Sequence, residues 1–192
     1  MLKRCLDVVL AAGALLILAV PMAVVAVAVR VTMGAPVLFR HVRPGRHGEL
    51  FELVKFRTMR RGSGSDAERL TRLGRFLRST SIDELPELWN ILRGDMSLVG
   101  PRPLLVGYLD LYSPRQARRH EVRPGLTGLA QVEGRNLVAW DDRLELDVRY
   151  VETRSLALDL RILGRTFGAV MRREGISGSG EATMAPFGGS AP

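Results

Sequence analysis

Asp83 and Glu84 are adjacent carboxylates at the predicted start of a helix, inside the run Arg78-Ser79-Thr80-Ser81-Ile82-Asp83-Glu84-Leu85-Pro86-Glu87-Leu88-Trp89-Asn90. Arg78 stands about one turn before them, and Arg102 follows on the rigid turn Gly100-Pro101-Arg102-Pro103. Two structural readings suit the acidic pair: Ser81 with Glu84 forms a capping box, or Asp83 ahead of Pro86 forms an N-cap. A cap needs no cations. A nucleophilic carboxylate facing a phosphate anion does, because it is repelled until Mg²⁺ or a guanidinium neutralises the phosphoryl charge. The surrounding arginines therefore point to phosphate chemistry at Asp83 and Glu84, with Arg78 and Arg102 as phosphate-binding residues.

The remaining chain must seat this group. At 192 residues it is one domain's worth, and 46% hydrophobic residues with a mean hydropathy of +0.07 is apolar for so charged a protein, so part of it meets lipid. The formal net charge of +8 calls for an anionic partner. Aromatics make up only 6% and do not interleave with basic residues, so anionic lipid or a polyphosphate is favoured and nucleic acid is not. The lone Cys5 excludes an internal disulfide. His41 and His47 lack Cys or His partners at ligand spacing, which argues against a zinc site.

Val8 to Val29 is 22 residues without a charge, long enough for one bilayer crossing of ~20 residues. Lys3 and Arg4 precede it and Arg30, Arg40, Arg43 and Arg46 follow, so both ends favour the cytoplasm and a simple span has no clear orientation. Pro21 removes the backbone bond to Ile17 and predicts a kink. A kinked helix that enters and leaves one leaflet satisfies both observations.

A β-hairpin is expected from Val37–His41 and Leu50–Val54 around Pro44-Gly45 and His47-Gly48. Ser65 to Glu68 reads as a capping box opening a helix that carries Arg69, Arg72, Arg75 and Arg78 as one stripe, suited to anionic headgroups. Further helices are expected over Leu85–Leu92, stopped by Gly94, and over Leu104–Tyr112, Asp141–Tyr150 and Ser155–Arg173, with a start at Ser113-Pro114. Gly125–Asn136 reads as a glycine-rich loop able to approach a ligand, and Arg118, Arg119, His120 and Arg123 as a basic cluster able to guide a lipid phosphate. Residues 174–192 are rich in Gly, Ser, Ala and Pro and are expected to be mostly mobile.

Lys55-Phe56-Arg57-Thr58-Met59, the run from Arg78 to Asn90, Gly94-Asp95-Met96-Ser97-Leu98-Val99-Gly100-Pro101-Arg102-Pro103, and Val122 to Asn136 together resemble the bacterial sugar transferases, the monotopic phosphoglycosyl transferases. The resemblance runs from about Lys3 to the tail, in the family's order and spacing. It implies a mainly helical α+β fold with a re-entrant membrane helix (residues 1–35), a catalytic domain (residues 36–175) with a small β-hairpin and interfacial amphipathic helices around the active site, and a flexible tail (residues 176–192).

It also implies transfer of a phosphosugar from a UDP-sugar to polyprenyl phosphate with release of UMP. The site would lie on the cytoplasmic face of the inner membrane, with Asp83 as nucleophile and Mg²⁺ ligand, Glu84 beside it, and Lys55 as a supporting cation. Lys55 and Lys3 are the two lysines among 28 basic residues. An exported remainder after signal-peptide cleavage does not suit such an enzyme. The rival reading from another class is a membrane-anchored basic scaffold in which the acidic pair is only a cap. No residue selects a particular sugar or oligomeric state.

Overall fold

The computed structural model describes residues 1–133, 139–172 and 187–189. The architecture is α+β and mainly helical, built around one long apolar helix, α1 (Leu2–Met33, 32 residues). Its length, ~48 Å at 1.5 Å per residue, exceeds the ~30 Å of a bilayer's hydrocarbon core. It is long and apolar enough to cross a membrane and passes through Pro21 without leaving the helical state. Gly34, at φ 77°, ends it in the left-handed region.

Both ends of α1 are tied to the same domain. At the start, Asp7 accepts from Ser97 Oγ at 2.8 Å and the Leu98 amide at 3.1 Å, Lys3 donates to Asp159 at 2.5 Å, and Arg4 donates to the carbonyls of Ile91 and Leu92. At the other end, Arg57 donates to the carbonyls of Met33, Gly34 and Ala35, which α1 leaves without helical partners. Between the ends, Leu16, Ile17, Val20 and Val24 are exposed, a continuous apolar surface that water would not stabilise.

The expected hairpin is present, with β1 (Leu38–Pro44) antiparallel to β2 (Leu50–Phe56). Its turn is a 3₁₀ segment, Arg46–Gly48, with His47 in the left-handed region. The helix expected to run from Ser65 through Arg78 is instead two helices, α2 (Asp66–Arg69) and α3 (Arg72–Ser79). Ser65 forms its capping box with Glu68, but Leu70 then pairs with Met59, and Thr71 starts α3 by accepting from the Gly74 amide. Arg69 is therefore off the helix that carries Arg72, Arg75 and Arg78. Thr58 lies so close to α3 that a Cβ on Gly74 would come 1.9 Å from its carbonyl oxygen.

After a 3₁₀ turn at Ile82–Glu84 comes α4 (Glu87–Arg93), capped by Gly94 at φ 97°. Fully buried Asn90 joins α4 to β2, accepting from the Val54 amide and donating to the Glu52 carbonyl. Ala11 and Leu15 of α1 pack with Leu53, Leu88 and Met96, while Val29 packs with Phe56 and Leu77.

Beyond α4, β3 (Ser97–Val99) runs parallel to β4 (Gly125–Thr127), a pairing not anticipated from the sequence. It explains the glycines differently. A Cβ on Gly125 would lie 2.1 Å from the Gly100 amide nitrogen, and one on Gly128 would lie 2.2 Å from its carbonyl oxygen, so these residues permit backbone packing on backbone rather than approach of a ligand. Residues 134–136 of the expected loop lie outside the described residues.

Residues Val106–Leu111 form 3₁₀ turns in place of the expected helix, and α5 (Pro114–Ala117) follows with Ser113 as its cap. Next come α6 (Leu129–Glu133), α7 (Trp140–Thr153) and α8 (Leu156–Arg172). Of the tail, Phe187–Gly189 is described, and Phe187 is buried among Tyr108, Tyr112 and Trp140.

Candidate active site

The turn carrying Asp83 and Glu84 is set by Ser81, which is left-handed at φ 56° and makes no capping bond. Pro86 occupies the N-cap position of α4, also without a side-chain cap. Neither capping reading of the acidic pair holds. Glu84 instead turns back to two cations: Lys55 Nζ donates to its Oε1 at 2.7 Å, and Arg102 Nη2 donates to the same oxygen at 2.5 Å.

Among the described residues the Asp83 carboxylate has no hydrogen-bond or ion-pair partner, although it is only 8% exposed. Arg78, which donates through Nε to Thr58 Oγ1 at 3.1 Å, shares the cavity wall with it.

The electrostatics separate the two acids. Burial and the neighbouring Glu84 push the Asp83 carboxyl above its ordinary value, against the pull of Lys55, Arg102 and Arg78. Burial would also raise Glu84, but Arg102 and Lys55 overcome it and hold Glu84 well below the usual carboxylate range. Burial alone would lower Lys55; its contact with Glu84 reverses this and keeps the ammonium charged. Glu84 in turn raises Arg102.

The structure thus brings Lys55, Arg78, Asp83, Glu84 and Arg102 to one cavity of about 1020 Å³ between the hairpin and the α3 to α4 segment. A second cavity of about 420 Å³ lies against α8 and shares Arg78, Ser81, Glu84 and Arg102 with the first. Pro21 lies away from both, on α1.

Three residues here escaped the sequence reading. Glu87 is 2% exposed, and burial pushes its carboxyl up to about 7. Lys55 Nζ lies 3.0 Å from Glu87 Oε1, an ion-pair distance that pulls the carboxyl down without overcoming its burial. Its spacing of three from Glu84 was the available signal, since i and i+3 share a helix face. Arg43 lines the larger cavity on the same hairpin face as Lys55, which the pairings Phe39 with Lys55 and Arg43 with Phe51 require. Arg143 of α7 lines the smaller cavity and stacks over Trp140 at 5.6 Å.

The expected basic cluster is largely structural. Arg118 pairs with Glu121 and Glu152, Arg119 with buried Asp147, His120 bonds the Gly45 carbonyl, and Arg123 donates to Gly94.

No group of three or more His, Cys, Asp or Glu side chains is placed to cage a metal among the described residues. Mg²⁺ is commonly held by one or two carboxylates with substrate phosphates completing its shell. Asp83 fits that mode, whereas Glu84 is engaged by cations.

Residues 1–173 match the family model for bacterial sugar transferases. The chain is 50% identical over 195 residues to "Uncharacterized sugar transferase EpsL" of Bacillus subtilis (strain 168), covering 98% of this chain and 96% of that protein. It is 44% identical over 185 residues to the UDP-glucose:undecaprenyl-phosphate glucose-1-phosphate transferase of Caulobacter vibrioides, covering 88% and 69%. It is also 41% identical over 165 residues to the undecaprenyl-phosphate galactose phosphotransferase of Salmonella typhimurium, covering 74% of this chain and 35% of that protein. The chain belongs to the bacterial sugar transferase family and is a membrane enzyme of the sugar-phosphate transferase type.

Proposed function

We propose that the protein transfers a phosphosugar from a UDP-sugar to polyprenyl (undecaprenyl) phosphate, giving polyprenyl-diphosphate-sugar and UMP, as the first membrane-bound step of glycoconjugate synthesis. The observation that carries this reading is the contrast within the acidic pair. Asp83 is buried on a cavity wall with no partner of its own among the described residues, while Lys55 and Arg102 converge on its neighbour Glu84. The names of the Caulobacter and Salmonella relatives support the acceptor, and the former also supports the donor.

In this mechanism Asp83 attacks the sugar-linked phosphorus, the bond to UMP breaks, and the leaving UMP takes the electron pair. The product is an acyl phosphosugar on Asp83. An oxygen of the polyprenyl phosphate then attacks the same phosphorus, the acyl bond to phosphorus breaks, and the Asp83 carboxylate is restored.

As Lys55 and Arg102 shift their contacts towards substrate phosphate, Glu84 loses the charges that keep it deprotonated and becomes able to take the acceptor's proton. Arg78 and Arg102 hold phosphate oxygens in bidentate fashion. Mg²⁺ held by Asp83 together with the diphosphate oxygens would supply charge neutralisation.

The tethering of both ends of α1 to one domain supports a helix that dips into the membrane and returns, with the site on the cytoplasmic face of the inner membrane. Anionic lipid headgroups then meet exposed Arg72 and Arg75 of α3.

The test is mass spectrometry of the detergent-purified protein after mixing with a panel of UDP-sugars and Mg²⁺ alone. A phosphosugar adduct on the peptide carrying Asp83, with one UMP released per adduct, is expected for the correct sugar. UMP release that occurs only with polyprenyl phosphate present, and with no adduct, would replace the covalent step by direct transfer and leave Asp83 as a metal ligand.

A further inference from the structure

The smaller cavity differs in chemistry from the larger one. Part of its lining is cationic: among the described residues Arg78, Arg102 and Arg143 line it with Glu84 as the one acid, whose charge Arg102 and Lys55 already offset. Another part is aliphatic, made by Leu98 and Leu126 together with Leu163 and Val170 of α8.

Its hydroxyl groups are mostly directed at the protein. Ser79 and Thr80 donate to Phe76, Thr166 donates to Ile162, and Thr127 therefore donates to Thr166 at 2.7 Å. These four hydroxyl donors are spent on the protein rather than offered to a sugar ring, and at about 420 Å³ the space is less than half that of the larger cavity. What the lining offers a ligand is a phosphate grip joined to an apolar channel.

The edges of the cavity carry the same message. Phe167, 70% exposed, stands four residues after Leu163 and three before Val170, so all three share one side of α8. On α3, Phe76, 48% exposed, stands three and four residues before Ser79 and Thr80 of the lining. Helical spacing thus puts an exposed aromatic ring on the same helix side as lining residues in both α3 and α8, in a protein whose α1 also exposes an apolar surface.

We propose that this smaller cavity seats the polyprenyl phosphate acceptor, its phosphate gripped by Arg143 together with Arg78 and Arg102 and its first isoprene units laid along Leu163 and Val170. The proposal rests on the transfer reading above. The larger, arginine-rich cavity is then left for the UDP-sugar, and the acyl phosphosugar on Asp83 is approached from the smaller cavity across the shared wall of Arg78, Glu84 and Arg102.

The experiment separates the half-reactions. Val170→Trp fills the aliphatic part, and Ala169→Leu is a milder variant should the tryptophan prevent folding. Adduct formation from UDP-sugar alone is timed first, then discharge of the isolated adduct by polyprenyl phosphate. The expected result is adduct formation at the parent rate, with discharge slowed about tenfold or more at limiting acceptor.

Arg143→Gln should raise the KM for polyprenyl phosphate about tenfold without a matching change for the UDP-sugar, and Arg143→Lys should recover part of the loss. Adduct formation slowed as much as discharge would assign the cavity to the donor, and two unchanged half-reactions would assign it to neither; each overturns the proposal while leaving the transfer reading intact. An unmodified protein that forms no adduct and releases no UMP overturns both.

Discussion

Arg119 holds the backbone of Arg102: its Nη2 donates to the Arg102 carbonyl oxygen at 2.7 Å, while Nε and Nη2 grip Asp147 at 3.1 and 2.8 Å. Arg119 and Asp147 are 2% and 3% exposed. The guanidinium that meets Glu84 therefore projects from a turn anchored by a buried ion pair between Arg119 and Asp147 of α7.

Breaking that pair should damage both stability and chemistry. Asp147→Asn leaves the Arg119 charge buried without its counter-ion, a cost of about 3–5 kcal/mol. Arg119→Lys cannot span Asp147 and the carbonyl together, and should lower kcat even in the folded fraction. Thermal unfolding followed by kinetics on the folded protein checks this; a lowered Tm with unchanged kcat would mean that the turn is held by other contacts.

Asp83→Asn should abolish activity by about 10³-fold or more with folding intact. Since the Asp83 carboxyl is raised in the folded state, the stability it contributes is present in acid and lost as pH rises through the folded value. At neutral pH the Asn variant should thus be as stable as the parent or more so. Residual activity near the parent level would return the acidic pair to a structural role.

Lysine at Arg78 or Arg102 keeps the charge but loses the planar fork, so most activity should go. Arg72→Gln and Arg75→Gln, both on the exposed side of α3, should mainly reduce sedimentation with anionic vesicles. Equal kinetic loss from all four substitutions would show that the site boundary is misplaced.

Glu87 gives a pH signature. Its carboxyl rises from the ordinary 4.5 to about 7, so its contribution to stability is complete below pH 4.5 and disappears as pH rises through 7. The parent should lose several degrees of Tm over that window, and Glu87→Gln should lose less. Parallel Tm profiles for the two proteins would mean that Glu87 is not titrating there.

Topology is open to direct labelling. Cysteines placed singly at residue 3 and in the tail of a Cys5→Ser background should react only from the cytoplasmic side. Reaction of residue 3 from outside intact cells would establish a span instead. Pro21→Ala should shift some molecules towards that crossing, because 22 uncharged residues are long enough to make it.

Local rules made much of this legible. The uncharged run, the Ser65 and Ser113 caps, Gly94 and the hairpin turn each announced themselves through a short stretch of sequence. What escaped depends on pairing across the chain. Leu70 forsakes its helix for Met59, β3 finds β4 from 28 residues away, and Gly125 and Gly128 serve that junction. The acidic pair itself could be read either as a cap or as a chemical group; the left-handed Ser81 without a capping bond and Pro86 at the N-cap of α4 removed the capping alternative, and Lys55 and Arg102 converge on Glu84 instead. Arg119 carried no mark distinguishing it from its half-buried neighbour Arg118, because its partner Asp147 lies 28 residues away.

Arg57 and Lys55 lie two residues apart at the end of one strand, the first fastened to the last carbonyls of α1 and the second to Glu84. The end of α1 and the turn carrying Glu84 are thus joined through one short stretch of β2, so a change at the C-terminal end of the long apolar helix reaches the acidic pair through only two residues of strand.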